Sequence, residues 1–134
     1  MYKYTGKNLL SGRDYIWNIL LDLISNKLWL GYGAGALPSH FFDTDLSSHN
    51  LYLQISLQVG ILGLILLLIF LYFIWMKLRL SLNDKKTALV ASYFVGIIIY
   101  QLFEITLTQN NFGLAIIQWL IIGLGLSLSF NKRQ

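Results

Sequence analysis

The chain has 134 residues, with 56% apolar and only 12% charged positions, 10 Lys+Arg against 6 Asp+Glu, a net charge of +4 and no cysteine. A charged fraction about half the ~25% of soluble domains cannot coat a water-soluble fold, which argues for an integral membrane protein. Without cysteine there is neither a disulfide nor a thiolate metal site. Nucleic acid is a poor explanation for the positive charge, since the basic residues are scattered or sit at the edges of apolar runs.

In chain order, residues 1–50 read as an extracytoplasmic segment whose charges balance: Lys3, Lys7, Arg13 and Lys27 against Asp14, Asp22, Asp43 and Asp45. No apolar run follows Met1, so no signal peptide is expected. Such a chain is expected to be the end of a longer polytopic protein, a truncated reading frame, or a subunit that pairs with further helices. Ser11-Gly12-Arg13-Asp14 has the form of a helix start, with Ser11 as cap and Asp14 reaching back. Ile16, Ile19, Leu20, Leu23 and Ile24 then recur at helical spacing, predicting a short amphipathic helix over about 14–26. Too short and too polar to span, it should lie along the outer interface or pack on the bundle. Arg13 in its first turn is either a solvated residue near a cap or part of an anion site, because a guanidinium fork matches phosphate oxygens.

Gly31-Tyr32-Gly33-Ala34-Gly35 reads first as a structural turn, its glycines permitting positive φ and close backbone approach. Residues 38–48 follow as a polar loop. His40, Asp43, Asp45 and His49 have the chemistry of metal ligands, but no spacing calls for a metal, and solvated loop residues are the simpler reading.

Three uncharged stretches come next: Leu51 to Met76, Thr87 to Phe103 and Ile105 to Asn131. A bilayer core needs about 20 helical residues, so the first and third suffice, and the second suffices if Glu104 to Thr108 continue it. The expected fold is therefore an all-α membrane protein. Three transmembrane helices, at about 51–76, 87–108 and 112–130, follow an outer-face segment with a short amphipathic helix. Lys77, Arg79, Lys85 and Lys86 between the first two spans, and Lys132 and Arg133 after the third, place these regions in the cytoplasm by the positive-inside rule; residues 1–50 then lie outside.

At the outer mouth of the first span stands His49-Asn50. Asn50, Gln54 and Gln58 recur every four residues and form one polar stripe on that helix. The stripe either lines a substrate site, with His49 able to exchange a proton near neutral pH, or acts as hydrogen-bonding glue between helices. Glu104, near the outer end of the second span, is a functional candidate beside Gln54 or His49, or a carboxylate in the headgroup layer.

His49-Asn50, nine residues, then Gly60-Ile61-Leu62-Gly63 resembles the H-N-x9-G-x-x-G signature of the O-antigen ligase superfamily, which also contains bacterial polysaccharide polymerases. Ser11-Gly12-Arg13 followed by Trp17 is similar to its G-R-x-x-x-W segment, and Leu30-Gly31-Tyr32-Gly33 to its glycine turn. The order matches too. The resemblance implies a multi-spanning glycosyltransferase of the bacterial cytoplasmic membrane. It would move glycan from undecaprenyl diphosphate to a sugar acceptor at the outer face, as polymerase or ligase, with no metal or other cofactor. His49 would be the catalytic residue and Arg13 would bind the diphosphate, with Asn50, Gln54 and Gln58 as further substrate-binding candidates. Its partners would be the lipid-linked glycan, the acceptor, the bilayer, and upstream helices or a partner subunit, with no nucleic acid. The competing expectation is an inactive remnant or accessory membrane subunit. A transporter fragment built on the polar stripe and Glu104 ranks below both.

Overall fold

The computed structural model describes residues 13–41, 47–108 and 112–131. Among these, four α-helices account for the regular structure: α1 (Arg13–Asn26), α2 (Leu51–Arg79), α3 (Lys85–Tyr100) and α4 (Phe112–Asn131), with one short 3₁₀ turn at Pro38–His40. The amphipathic helix forms as its spacing predicts: Ile16, Leu20 and Ile24 are its buried residues. The cap proposed at Ser11 lies outside the described residues.

The apolar side chains collect into two clusters. One, built on Ile16, Leu20, Ile24, Ala36 and Leu57, ties α1 and the glycine turn to the start of α2. The other joins α2, α3 and α4 through residues such as Leu71, Leu78, Phe94 and Ile122. The molecule thus has a helical bundle and, over one end of it, a smaller layer containing α1.

What permits two layers is a break inside α2. Gly60 takes φ 68 and ψ −170, outside helical space, and divides the helix into a short arm, 51–59, and a long arm, 61–79. Two ties show that the arms do not continue one rod. The Leu51 amide donates to the Gln101 carbonyl at 2.9 Å, while Leu78 and Val90 meet beside Gly125. Straight helix from 51 to 78 measures about 40 Å, against about 16 Å along α3 from 90 to 101. Both ends of α2 can reach α3 only because the chain turns at Gly60.

The break frees main-chain groups, and the glycine turn takes them up. Tyr32 N–H donates to the Leu57 carbonyl and Gly33 N–H to the Gln58 carbonyl, both at 2.8 Å, while Ile61 N–H donates to the Leu28 carbonyl at 2.7 Å. In continuous helix the Leu57 carbonyl would have accepted from Ile61. A buried peptide group left unpaired is costly, so this exchange is what makes the break tolerable. Contact is backbone on backbone. A Cβ on Gly60 would collide with the Trp29 carbonyl, and one on Gly31, itself at φ 66, would lie 2.6 Å from the Leu57 oxygen.

Helix α3 is shorter than the 87–108 span expected. It ends at Tyr100, because Gln101 folds over the chain beyond it. The Gln101 Oε1 accepts from the amides of Thr106 (3.0 Å) and Leu107 (3.3 Å), and its Nε2 donates to Thr106 Oγ1 at 2.8 Å. A side chain that stands in for helix hydrogen bonds draws the backbone into a turn. Helices α2 and α4 are long and apolar enough to cross a membrane; α3, at 16 residues, is not by itself.

Gly60→Ala and Gly31→Ala should each lower the unfolding midpoint in detergent markedly. Backbone strain adds there to an overpacking cost that alone runs to about 1–3 kcal/mol. Gly35→Ala, where an added Cβ meets nothing within 4 Å, should leave the midpoint unchanged. Thermal melts of the three purified variants check this.

Candidate functional site

The segment 47–50 connects the two layers, and His49 is its unusual member. It is the one non-glycine residue with positive φ (44°) among those described, a conformation that costs free energy and persists only where neighbours enforce it. The enforcement is visible on both sides. Ser47 Oγ accepts from the His49 amide at 3.3 Å. The carbonyl of Ser48 accepts from Trp17 Nε1 at 2.8 Å. On the other side the Asn50 side chain accepts from Leu53 N–H at 3.1 Å and caps α2, an ordinary use of asparagine at a helix start.

The imidazole meets a carboxylate. His49 Nδ1 lies 3.0 Å from Glu104 Oε1, the side chains being 39% and 29% exposed. An ionised carboxylate only accepts, so Nδ1 carries the proton and donates it. In the neutral ring Nε2 then holds the lone pair, and it is the atom available to take a proton from a substrate. A partly exposed pair of this kind contributes about 0–1 kcal/mol to stability. Its larger effect is to fix ring orientation and tautomer. Glu104 can reach His49 because α3 has already ended: in a helix continuing to 108 it would remain on that helix.

Arg13 opens α1 and is half-buried. Trp17 stands one turn further on the same face, and its ring bonds the residue beside His49. The arginine face of α1 is therefore turned toward the histidine segment.

The polar stripe is directed inward. Gln54 and Gln58 are buried, and both Nε2 groups donate to the Ala36 carbonyl, at 2.9 and 3.1 Å. Gln54 Oε1 accepts from Ser48 Oγ at 3.2 Å. Asn50 is buried as well, with its side-chain oxygen engaged as the cap. Gln54 and Gln58 thus join the loop after the glycine turn to the short arm of α2, and Asn50 caps that arm. His40 is exposed, and its Nδ1 accepts from Leu37 N–H at 3.4 Å; Asp43 and Asp45 lie outside the described residues.

Two contributors were missing from the set of site residues read from sequence. Trp17 was visible only as part of a motif, and its place one turn after Arg13 was the available signal. Ser48 carried no signal, because it acts chiefly through its carbonyl.

The apolar windows of α2 and α4 are only 17% and 28% buried. The core helix of a soluble protein would be mostly covered, so these two exposed apolar helices fit a helical membrane protein, one that carries a histidine–carboxylate pair. Residues 4–68 match the O-antigen ligase family, the family to which the histidine, arginine and glycine motifs pointed. A candidate polysaccharide ligase of Rickettsia conorii is 28% identical over 130 residues, covering 82% of this chain and 31% of the relative. The chain thus spans about a third of that relative's length. No solved structure matches it. The family match takes in Arg13, Trp17, the glycine turn, His49 and Gly60, and Glu104 lies beyond it.

Removal of the carboxylate tests the tautomer assignment. In protein carrying ¹⁵N-histidine, the His49 signals should show a protonated Nδ1 and a bare Nε2. Glu104→Ala should shift the population toward Nε2–H, with Trp17 and the fold intact.

Proposed function

We propose that this chain forms the histidine-bearing part of a membrane glycosyltransferase of O-antigen ligase or polysaccharide polymerase type. It moves glycan from undecaprenyl diphosphate to a sugar acceptor at the outer face of the bacterial cytoplasmic membrane. The observation that carries this reading is the His49–Glu104 pair at 3.0 Å, on a strained backbone bonded to the helix that Arg13 opens. Similarity to the O-antigen ligase family over residues 4–68 supports the same substrate class.

In this mechanism His49 Nε2 removes the proton from the acceptor hydroxyl as its oxygen attacks the anomeric carbon. The bond from that carbon to the diphosphate oxygen breaks, and its electron pair leaves with the lipid diphosphate. The Arg13 guanidinium binds the departing anion and offsets the charge that accumulates on it. Glu104 is a positioning residue: it holds the imidazole with Nε2 bare and stabilises the imidazolium formed on proton transfer, as the carboxylate does in a catalytic triad. The proton returns to the diphosphate or to water. Gln54 bonds Ser48 beside His49, Asn50 caps the helix that follows, and Gln58 bonds Ala36, so these three act by positioning.

His49→Ala and Arg13→Ala should each abolish glycan extension or attachment, by at least about 100-fold in rate, with protein levels intact. Glu104→Gln should cost less, because an amide keeps one acceptor for Nδ1–H while losing the charge. Complementation by this chain, alone and joined to the upstream part of a relative, read as glycan length on a gel, checks all three. Unchanged glycan in the His49 or Arg13 variant overturns the assignment.

A further inference from the structure

The sequence Ser25-Asn26-Lys27 is polar and the next three residues, Leu28-Trp29-Leu30, are apolar. Large side chains in this turn would ordinarily pack inward, yet all three are exposed, Trp29 by 64% and Leu30 by 75%. They line an open cleft of about 590 Å³ formed by residues 25–31. Their backbone has a fixed position relative to the bundle. The Leu28 carbonyl caps the long arm of α2 at Ile61, and the Trp29 carbonyl packs against Gly60. The exposed turn therefore sits at the head of the long arm.

That arm, 61–79, is about 28 Å of helix, close to the ~30 Å thickness of a hydrocarbon core. Its outward side chains, such as Leu62, Ile65, Leu66 and Ile69, are exposed in the same way as Trp29 and Leu30, so the apolar surface runs on from the arm to the turn. At the corresponding ends of the neighbouring helices stand further exposed aromatics, Tyr100 closing α3, Phe103 just beyond it and Phe112 opening α4. Tryptophan, tyrosine and phenylalanine at matching helix ends mark the level where a bilayer meets water. Lys27, directly before the apolar triplet, lies with its ammonium 4.6 Å from the Tyr32 ring centroid, on the polar side of the step.

We infer that Lys27–Leu30 is a membrane-interface wedge: Leu28, Trp29 and Leu30 enter the acyl-chain boundary of the outer leaflet and Lys27 faces the lipid phosphates. The occupant of the cleft is bilayer phospholipid. On this geometry the membrane surface lies at Gly60, and the short arm of α2, with Gln54, Ser56 and Gln58, stands above the hydrocarbon. The inference concerns the placement of the chain in the bilayer and is independent of the catalytic reading.

The chain has no cysteine, so single labels are unambiguous. Leu30→Cys and Asn26→Cys, both at exposed positions, are labelled with a nitroxide in the full chain. Each is reconstituted into phosphatidylcholine/phosphatidylglycerol vesicles, and relaxation by oxygen is compared with relaxation by a water-soluble nickel chelate. The expected result is a several-fold higher oxygen-to-nickel accessibility ratio at position 30 than at position 26. Equal ratios, or nickel dominating at position 30, put the turn in water and overturn the inference. Dipolar broadening between labels at position 30 assigns the patch to a second copy of the chain and also overturns it. Neither reading requires glycan transfer, so failure here is distinguishable from failure of the proposed activity.

Discussion

The structure depends on an exchange of main-chain hydrogen bonds at Gly60. A buried helix cannot leave peptide groups bare, so a break at the buried Gly60 survives only if another stretch of backbone supplies donors and acceptors at the right places. The turn at Leu28–Gly33 does so, giving two amides to the short arm and one carbonyl to the long arm. With the break secured, the short arm can turn over the bundle, α1 can pack against Leu57, and the end of α3 can meet the start of α2. His49 is held where these three pieces come together.

The motif spacing acquires a physical meaning from this arrangement. In His49-Asn50 the histidine occupies the left-handed backbone region and the asparagine caps the helix that follows. After nine intervening residues Gly60 supplies the conformation and the absent side chain that the break demands. Gly63 stands against Val59, whose methyl groups occupy the space a Cβ would need. The signature thus marks the two ends of the short arm, and the spacing between its two halves is the length of that arm.

Much of this was legible from residue types alone. The amphipathic helix and the long apolar helices followed from periodicity and length, and the motifs drew attention to positions 13 and 49. The break did not, because a glycine inside an apolar run looks the same whether it packs a helix or interrupts one, and backbone-to-backbone bonds leave no side-chain signature. The end of α3 was also hidden. Gln101-Leu102-Phe103-Glu104-Ile105 contains no proline or glycine, and the turn is held by the Gln101 side chain on Thr106 and Leu107 together with Gln118 and Trp119 of α4 on the same two residues. That early ending is what releases Glu104 to His49. For Gln54 and Gln58 the spacing identified a shared face correctly, with Asn50 just before it as the cap, but which surface the face meets depends on the position of Ala36, eighteen residues before Gln54.

The coupling between the turn and α2 runs through peptide groups, which every residue except proline possesses in full. Side chains at Leu28, Trp29 and Leu30 can therefore diverge without disturbing the junction, while Gly31 and Gly60 cannot. The junction thus tolerates broad change of side chain in the turn, so long as the glycines persist and no imino acid enters at the donating positions.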